Sequence, residues 1–195
     1  MKRWVVTGPT GAGKSAVTAL LAARGAVIVD ADRLGHELLA RADIVRAVAA
    51  RFGPDCAEGG VVDRGALGRR VFADPAELAA LDGITHGPLR DLIEEKLAAL
   101  ATDGHTLAVL EAAVYFRLPA PPKMDLVVAV VAAAEVRAAR LAARTGLTPR
   151  EALARVRCLG HLDRDWARAD LTIRNDGDAV ELAEAVTRLW NSHAP

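Results

Sequence analysis

The chain has 195 residues, enough for one domain with an inserted lobe and a substantial buried core. Hydrophobic residues make up 52% of the sequence and aromatic residues only 4%, so the core must consist mainly of alanine, valine and leucine. Because 25 basic residues balance 25 acidic ones, no large field of one sign is available to attract nucleic acid or an anionic membrane.

Cys56 and Cys158 are too few and too far apart to indicate a disulfide framework or a zinc site. The apolar run after Lys2 and Arg3 is too short for the core of a signal peptide, and no run reaches the roughly 20 apolar residues of a membrane span. We therefore expect a soluble cytoplasmic protein that binds neither nucleic acid nor membranes, and we leave its oligomeric state open.

Short apolar runs predict buried parallel strands, because strands covered on both faces are continuously apolar. Four such runs are residues 4–7, 26–30, 106–111 and 125–131, and a fifth, more polar run at 170–175 is expected at an edge. Apolar residues at three- and four-residue spacing predict helices over 13–24, 133–145 and 178–191. This alternation predicts a doubly wound α/β sheet.

Two segments are predicted to be helical insertions in this sheet. Residues 32–103 contain no clear strand, and we expect them to form a lobe over the carboxyl edge, where ligands bind in such folds. Residues 145–169 form the second insertion, in which Thr148 and Pro149 are suited to begin a helix. The core of the fold is then residues 1–31, 104–144 and 170–195.

The segment "GPTGAGKS" lies between the first strand and the first helix and fits the pattern G-x-x-x-x-G-K-[ST]. In this pattern the backbone N–H groups point inward at phosphate oxygens, and glycine permits the turn and the close approach. Lys14 is expected to reach the β and γ phosphates and Ser15 to ligate Mg²⁺, while the helix that starts near Gly13 adds its positive end. The predicted ATP-binding residues are Gly8, Thr10, Gly11, Ala12, Gly13, Lys14, Ser15 and Ala16.

Three acidic residues follow predicted strands. Asp30 and Asp32 stand at the carboxyl end of the second strand, where one could accept the proton of an attacking hydroxyl and another could hold Mg²⁺ through water. Either could instead cap the following helix, an alternative that is stronger for Asp30 than for Asp32. Glu111 closes the third strand, and it could position Mg²⁺ through water or be a surface residue.

The succession of motifs resembles the dephospho-CoA kinase family over nearly the whole chain. The resemblance implies a P-loop kinase fold with a parallel five-stranded sheet, a helical lobe for the acceptor and an arginine-bearing helical lid. It also implies transfer of the γ-phosphate of ATP to the ribose 3′-hydroxyl of dephospho-CoA. The segments that carry it are "VVTGPTGAGKSAV", "VIVDADRLGHELL", "FGPD", "DRGALGRRVFADP", "ITHGPLRDLI", "DLVVAVVAAAEVRAARLAARTGL" and "RADLTIRNDG".

The resemblance assigns roles to individual residues. Asp32 matches the family's general base. Thr7, His86 and Arg90 match positions on the acceptor side, and Arg144 matches a lid arginine near the transferred phosphate. From the sequence alone, His86 lies where a helical pattern starts, so it could equally cap a helix or satisfy a core hydrogen bond.

Arginine spacing supports a lid independently of the resemblance. Arg137, Arg140 and Arg144 fall at i, i+3 and i+7, so they share one helix face. Arginines on a closing lid neutralise charge on the γ-phosphate and exclude water. We expect Arg137 to be solvated and paired with Glu135 instead.

Four positions depart from the family pattern and bear on acceptor and lid contacts. Gly87 separates His86 from the proline that commonly follows it, and Arg117 stands where an acid is common. Thr145 replaces the acid that often follows the lid arginine, and Leu159 replaces a common lid glutamine.

Two other functions are compatible with the phosphate loop. A related small-molecule kinase would act on a nucleotide, shikimate or a sugar acid, and would differ in the acceptor lobe. A nucleotide-dependent switch would regulate a partner protein, but the Asn-Lys-x-Asp motif by which switch GTPases read guanine is absent from the sequence.

Overall fold

The computed structural model describes residues 1–71, 73–158 and 165–195. Its centre is one sheet of five strands in the order β2-β3-β1-β4-β5, and every neighbouring pair is parallel. The predicted parallel five-stranded sheet is confirmed, and the most polar strand lies at an edge as expected. The strands are Lys2–Thr7 (β1), Val27–Asp30 (β2), Leu107–Glu111 (β3), Leu126–Val131 (β4) and Leu171–Arg174 (β5).

The described residues form eight α-helices, and the three helices predicted around the core strands are confirmed as α1, α6 and α8 below. Short 3₁₀ turns occur at Pro54–Cys56, Glu58–Gly60 and Tyr115–Arg117. The α-helices are Lys14–Ala22 (α1), Ala31–Leu38 (α2), Ala42–Phe52 (α3), Arg64–Val71 (α4), Pro75–Thr102 (α5), Ala134–Thr145 (α6), Pro149–Cys158 (α7) and Ala179–His193 (α8).

The chain divides into two compact units. The first unit comprises Met1–Asp30, Leu97–Phe116 and Lys123–Pro195 and contains the whole sheet. The second unit comprises Ala31–Lys96 and Arg117–Pro122, and its described residues are helices and their connections.

The core of the first unit holds β1 in place. Trp4, Val5 and Val6 are 1%, 0% and 0% exposed, so both faces of this strand are covered. On one face, Trp4 and Val6 belong to an apolar cluster that includes residues of α1 and α8, and the Trp4 ring meets the Trp190 ring edge-on at 6.4 Å. Each fully buried large side chain contributes about 1.5–3 kcal/mol, so the end of β1 is a firm base for the loop that follows.

Helix α5 differs from the sequence-based expectation. We expected a helix to begin near His86, because Gly87 and Pro88 follow it, but α5 runs unbroken from Pro75 to Thr102 with Pro88 inside it. An interior proline costs about 3 kcal/mol in a helix. The buried residues Leu89, Ile93 and Leu97 follow at four-residue spacing, and their burial offsets that cost.

The second predicted insertion contains α7. Its start is a capping box in which the Thr148 hydroxyl accepts a hydrogen bond from the Glu151 amide, at 3.3 Å, and the Glu151 carboxylate accepts from the Thr148 amide at 2.9 Å and from its hydroxyl at 2.6 Å. These bonds lower the pKa of Glu151, the side-chain bond from Thr148 most of all. Thr148 and Pro149 therefore begin a helix as predicted, and α7 packs on α6 through a small apolar cluster that includes Leu141 and Val156.

Among the helices of the described residues, none combines the length and the apolar character needed to cross a lipid bilayer.

Candidate functional site

The glycine-rich segment, residues 8–15 and called the phosphate loop below, links β1 to α1 as predicted. Gly8 has φ +137°, and an ideal Cβ built on it would lie 2.1 Å from the Val130 carbonyl oxygen of β4. Gly13 has φ +98° and is the N-cap residue of α1. The positive φ angles explain why glycine is required at both positions, and at Gly8 the close approach to β4 is a second reason.

Lys14 is folded over the phosphate loop. Its Nζ atom donates to the carbonyl oxygens of Gly8 at 3.1 Å and Pro9 at 3.4 Å. The ammonium group thus lies against the same turn whose backbone amides are expected to meet phosphate. Among the other predicted ATP-binding residues, Thr10 is half-buried, Ala12 is fully buried and Ala16 is exposed.

Glu111 joins the phosphate loop to the sheet edge. Its carboxylate accepts hydrogen bonds from the Ser15 and Thr18 hydroxyls, each at 2.7 Å. In register, Glu111 is opposite Val6 on β1 and Asp30 on β2, so β3 separates the two strands that carry the loop and Asp30. A hydroxyl beside a carboxylate offers the hard oxygen donors that Mg²⁺ prefers.

The oxygen atoms of Ser15 and Glu111 suit a metal ion that also keeps ligands from water and substrate. The described residues contain no group of three or more His, Cys, Asp or Glu side chains that could hold a metal ion. Mg²⁺ is commonly bound through one or two protein oxygens together with substrate phosphates and water. Ser15 and Glu111 are compatible with this kind of coordination.

Two arginines of α6 lie against the phosphate loop. Arg137 is only 5% exposed, and its backbone is so near Gly11 that a Cβ there would lie 2.7 Å from the Arg137 carbonyl oxygen. The prediction that Arg137 is solvated is therefore wrong, because the close packing of α6 on the phosphate loop buries it. Arg140 donates to the carbonyl oxygens of Asn175 at 3.0 Å and Ala12 at 3.4 Å.

The segment after β5 ties these elements together. The Asn175 side chain donates to the Ala12 carbonyl at 2.8 Å. Asp176 accepts from the Ala133 amide at 2.6 Å and from Arg174 at 2.7 Å, and these bonds, the first above all, hold the pKa of Asp176 below its usual range. Because Ala133 is the N-cap of α6, the start of that helix is fixed to the end of the sheet.

The lid arginine lies at the end of α6. Arg144 is exposed in the last helical turn, and it has no hydrogen-bond or ion-pair partner within residues 1–71, 73–158 and 165–195. The Thr145 hydroxyl donates to the Leu141 carbonyl at 2.7 Å, so it is occupied by its own helix. Leu159 lies outside the described residues.

Thr7, the last residue of β1, is fully buried. Its hydroxyl donates to the Ala112 carbonyl at 2.7 Å, directly after Glu111. The hydroxyl therefore links the ends of β1 and β3.

In the second unit, His86 belongs to a polar network. It is 8% exposed; its Nε2 atom lies 3.1 Å from an Asp82 carboxylate oxygen, and its Nδ1 atom lies 3.3 Å from the Arg117 carbonyl oxygen. The Arg117 guanidinium forms an ion pair with Asp82. Arg117, which stands where the family commonly has an acid, thus pairs with the acid Asp82 one helical turn before His86. The sequence analysis did not identify Asp82.

Two further predicted residues belong to this unit. Asp32 is exposed in the first turn of α2. Arg90 follows His86 by one turn of α5, its side chain is 37% exposed, and it forms a 2.6 Å ion pair with Asp91. Its place four residues after His86 puts both side chains on one face of the helix.

Comparison with known proteins gives a consistent result. The family model described as dephospho-CoA kinase matches residues 4–181. The dephospho-CoA kinase of Anaeromyxobacter dehalogenans is 40% identical, over 94% of this chain and 88% of its own length. That of Geobacter sulfurreducens is 35% identical, over 97% and 98%. The crystal structure of TT1252 from Thermus thermophilus is 32% identical and aligns with a TM-score of 0.78 over 100% of this chain and 98% of that one.

Proposed function

This chain belongs to the dephospho-CoA kinase family, and from that premise we propose which of its residues carry the reaction. The chain phosphorylates dephospho-CoA to coenzyme A, with ATP as the phosphoryl donor. The observation that supports our assignment most strongly is the phosphate loop backed by β4, with Lys14 folded over it and Glu111 on Ser15.

The loop residues bind the triphosphate. Backbone N–H groups of the phosphate loop and the Lys14 ammonium neutralise the β and γ phosphates, and the positive end of α1 adds to this field. Ser15, with Glu111 acting through water, would hold Mg²⁺, which when bound supplies further neutralisation of the phosphate charge. Arg144, on the lid, contributes charge to the transferred phosphoryl group as the lid closes.

Asp32 acts as the general base. It accepts the proton of the ribose 3′-hydroxyl as that oxygen forms a bond to the γ-phosphorus, while the bond from phosphorus to the β–γ bridging oxygen breaks and ADP leaves. His86 and Arg90 bind the acceptor. Thr7 serves the acceptor side indirectly, since its buried hydroxyl fixes the Ala112 carbonyl at the sheet edge.

The base is tested by Asp32→Asn. We expect kcat to fall by about 10²–10⁴-fold, the usual contribution of a positioned acid or base, while ATP affinity stays unchanged because the phosphate loop is intact. Asp103→Asn, in the turn after α5, makes the same charge change and should keep full turnover. Full turnover by Asp32→Asn would show that another group takes the proton.

The acceptor is tested by product mass. Purified protein with ATP, Mg²⁺ and dephospho-CoA should give a product heavier by one phosphate. A related kinase for a nucleotide or sugar-like acceptor is the competing function, and it would instead release ADP with those acceptors and not with dephospho-CoA. The match of the family model over residues 4–181 favours dephospho-CoA.

A further inference from the structure

One peptide group of the phosphate loop is held from outside the loop. The Ala12 carbonyl accepts a 2.8 Å hydrogen bond from the Asn175 side-chain amide and a 3.4 Å bond from Arg140. Asn175 is 5% exposed and Ala12 is fully buried. The bond from Asn175 is therefore shielded from water, which would otherwise compete for the carbonyl.

The direction of this carbonyl fixes the direction of the next amide. In a planar trans peptide the C=O and N–H bonds point to opposite sides. With the Ala12 carbonyl turned to Asn175, the Gly13 N–H is turned away from Asn175. A Cβ at Gly13 would lie 2.2 Å from the Asn175 Nδ2 atom, so the side chain is packed directly against this peptide group.

Arg140 sets the orientation of the Asn175 side chain. It donates to the Asn175 Oδ1 atom at 3.4 Å and to the Asn175 backbone carbonyl at 3.0 Å. Since a guanidinium only donates hydrogen bonds, it selects the side-chain oxygen. The amide nitrogen is then left to donate to Ala12, and the opposite orientation would place two acceptors face to face.

We propose that Asn175, oriented by Arg140, is a positioning residue that keeps the Gly13 amide directed at the nucleotide phosphates before ATP binds. This inference rests on the assignment of residues 8–15 as the ATP-binding loop. Asn175 need not touch the nucleotide. Its effect is preorganisation: an amide that already points at the phosphate loses less free energy on binding than one that must rotate.

The test is calorimetric titration of Asn175 variants with ADP. Asn175→Ala removes the donor without adding charge, and we expect ADP affinity to fall about tenfold, the usual effect of losing one buried hydrogen bond. Asn175→Asp keeps the shape but turns an oxygen toward the Ala12 carbonyl, so its affinity should fall further. Asn191→Asp, on exposed α8 surface, makes the same charge change and should bind ADP like the wild type.

The folded fraction of each variant separates positioning from a merely structural role. If Asn175 positions the amide, variants that circular dichroism shows to be folded bind ADP with a raised Kd. If Asn175 only supports folding, the raised Kd equals the wild-type Kd divided by the folded fraction, and the proposal is refuted. It is also refuted if Asn175→Ala binds ADP as tightly as the wild type. Failure of the wild type to bind ADP would instead overturn the assignment of the loop.

Discussion

Replacing Gly8 by alanine probes how tightly β4 supports the phosphate loop. A Cβ on Gly8 would lie 2.1 Å from the Val130 carbonyl oxygen, whereas real Cβ contacts are essentially never shorter than 3.0 Å. The loop and β4 would have to separate by about 0.9 Å, and a displacement near 1 Å can cost about 100-fold in rate. The positive φ of +137° adds backbone strain of about 1–3 kcal/mol.

Gly25→Ala is the matched control, because Gly25 has φ +102° but nothing within 4 Å of its ideal Cβ. Both variants should lose thermal stability, by about 2–4 °C for each kcal/mol of strain. Only Gly8→Ala should also lose about 100-fold in kcat/KM for ATP, measured by ADP release with dephospho-CoA. Equal kcat/KM for ATP in the two variants would refute this reasoning, because backbone strain alone, without a clash against Val130, would then explain both results.

Two further predictions concern Glu111 and the start of α7. Glu111→Gln removes the charge beside Ser15, so the Mg²⁺ concentration for half-maximal activity should rise at least about tenfold, as when a metal ligand loses its outer partner; an unchanged Mg²⁺ requirement would contradict the assignment. Thr148→Ala should lower the melting temperature at pH 7. The Glu151 pKa is held below its ordinary 4.5, so the stabilisation from the Thr148–Glu151 bond is present above pH 4.5 and is lost as the pH falls through the pKa of the folded state. An equal loss of melting temperature in Thr148→Ala at pH 3 and pH 7 would disprove this account.

The sequence was sufficient to predict the structure where the signal lies in neighbouring residues. The strand, glycine turn, lysine and serine of the phosphate loop are consecutive, and so are Thr148 and Pro149 at the start of α7, so local pattern was enough. The same local reasoning failed at Pro88, because burial of one face of α5 outweighs the cost of an interior proline. It also failed at Arg137, since spacing within a helix does not reveal what packs against it.

Contacts that depend on strand order were beyond prediction. Ser15 and Glu111 are 96 residues apart, and Ala12 and Asn175 are 163 apart. An asparagine after the polar run "DLTIR" is also a common turn residue, so nothing local marked Asn175. It meets the loop only because β5 pairs with β4, which itself pairs with β1.

Strand order also explains why the loop keeps one shape. The carboxyl ends of parallel strands share one edge of a sheet, so β4 places Val130 under Gly8, β3 places Glu111 on Ser15, and the segment after β5 places Asn175 on Ala12. Each contact depends on register, because a slip of one residue turns every side chain of a strand to the opposite face. A slip of β3 against β1 would turn Glu111 away from Ser15. The pairing that sets Glu111 opposite Val6 is therefore also what keeps the phosphate loop correctly assembled.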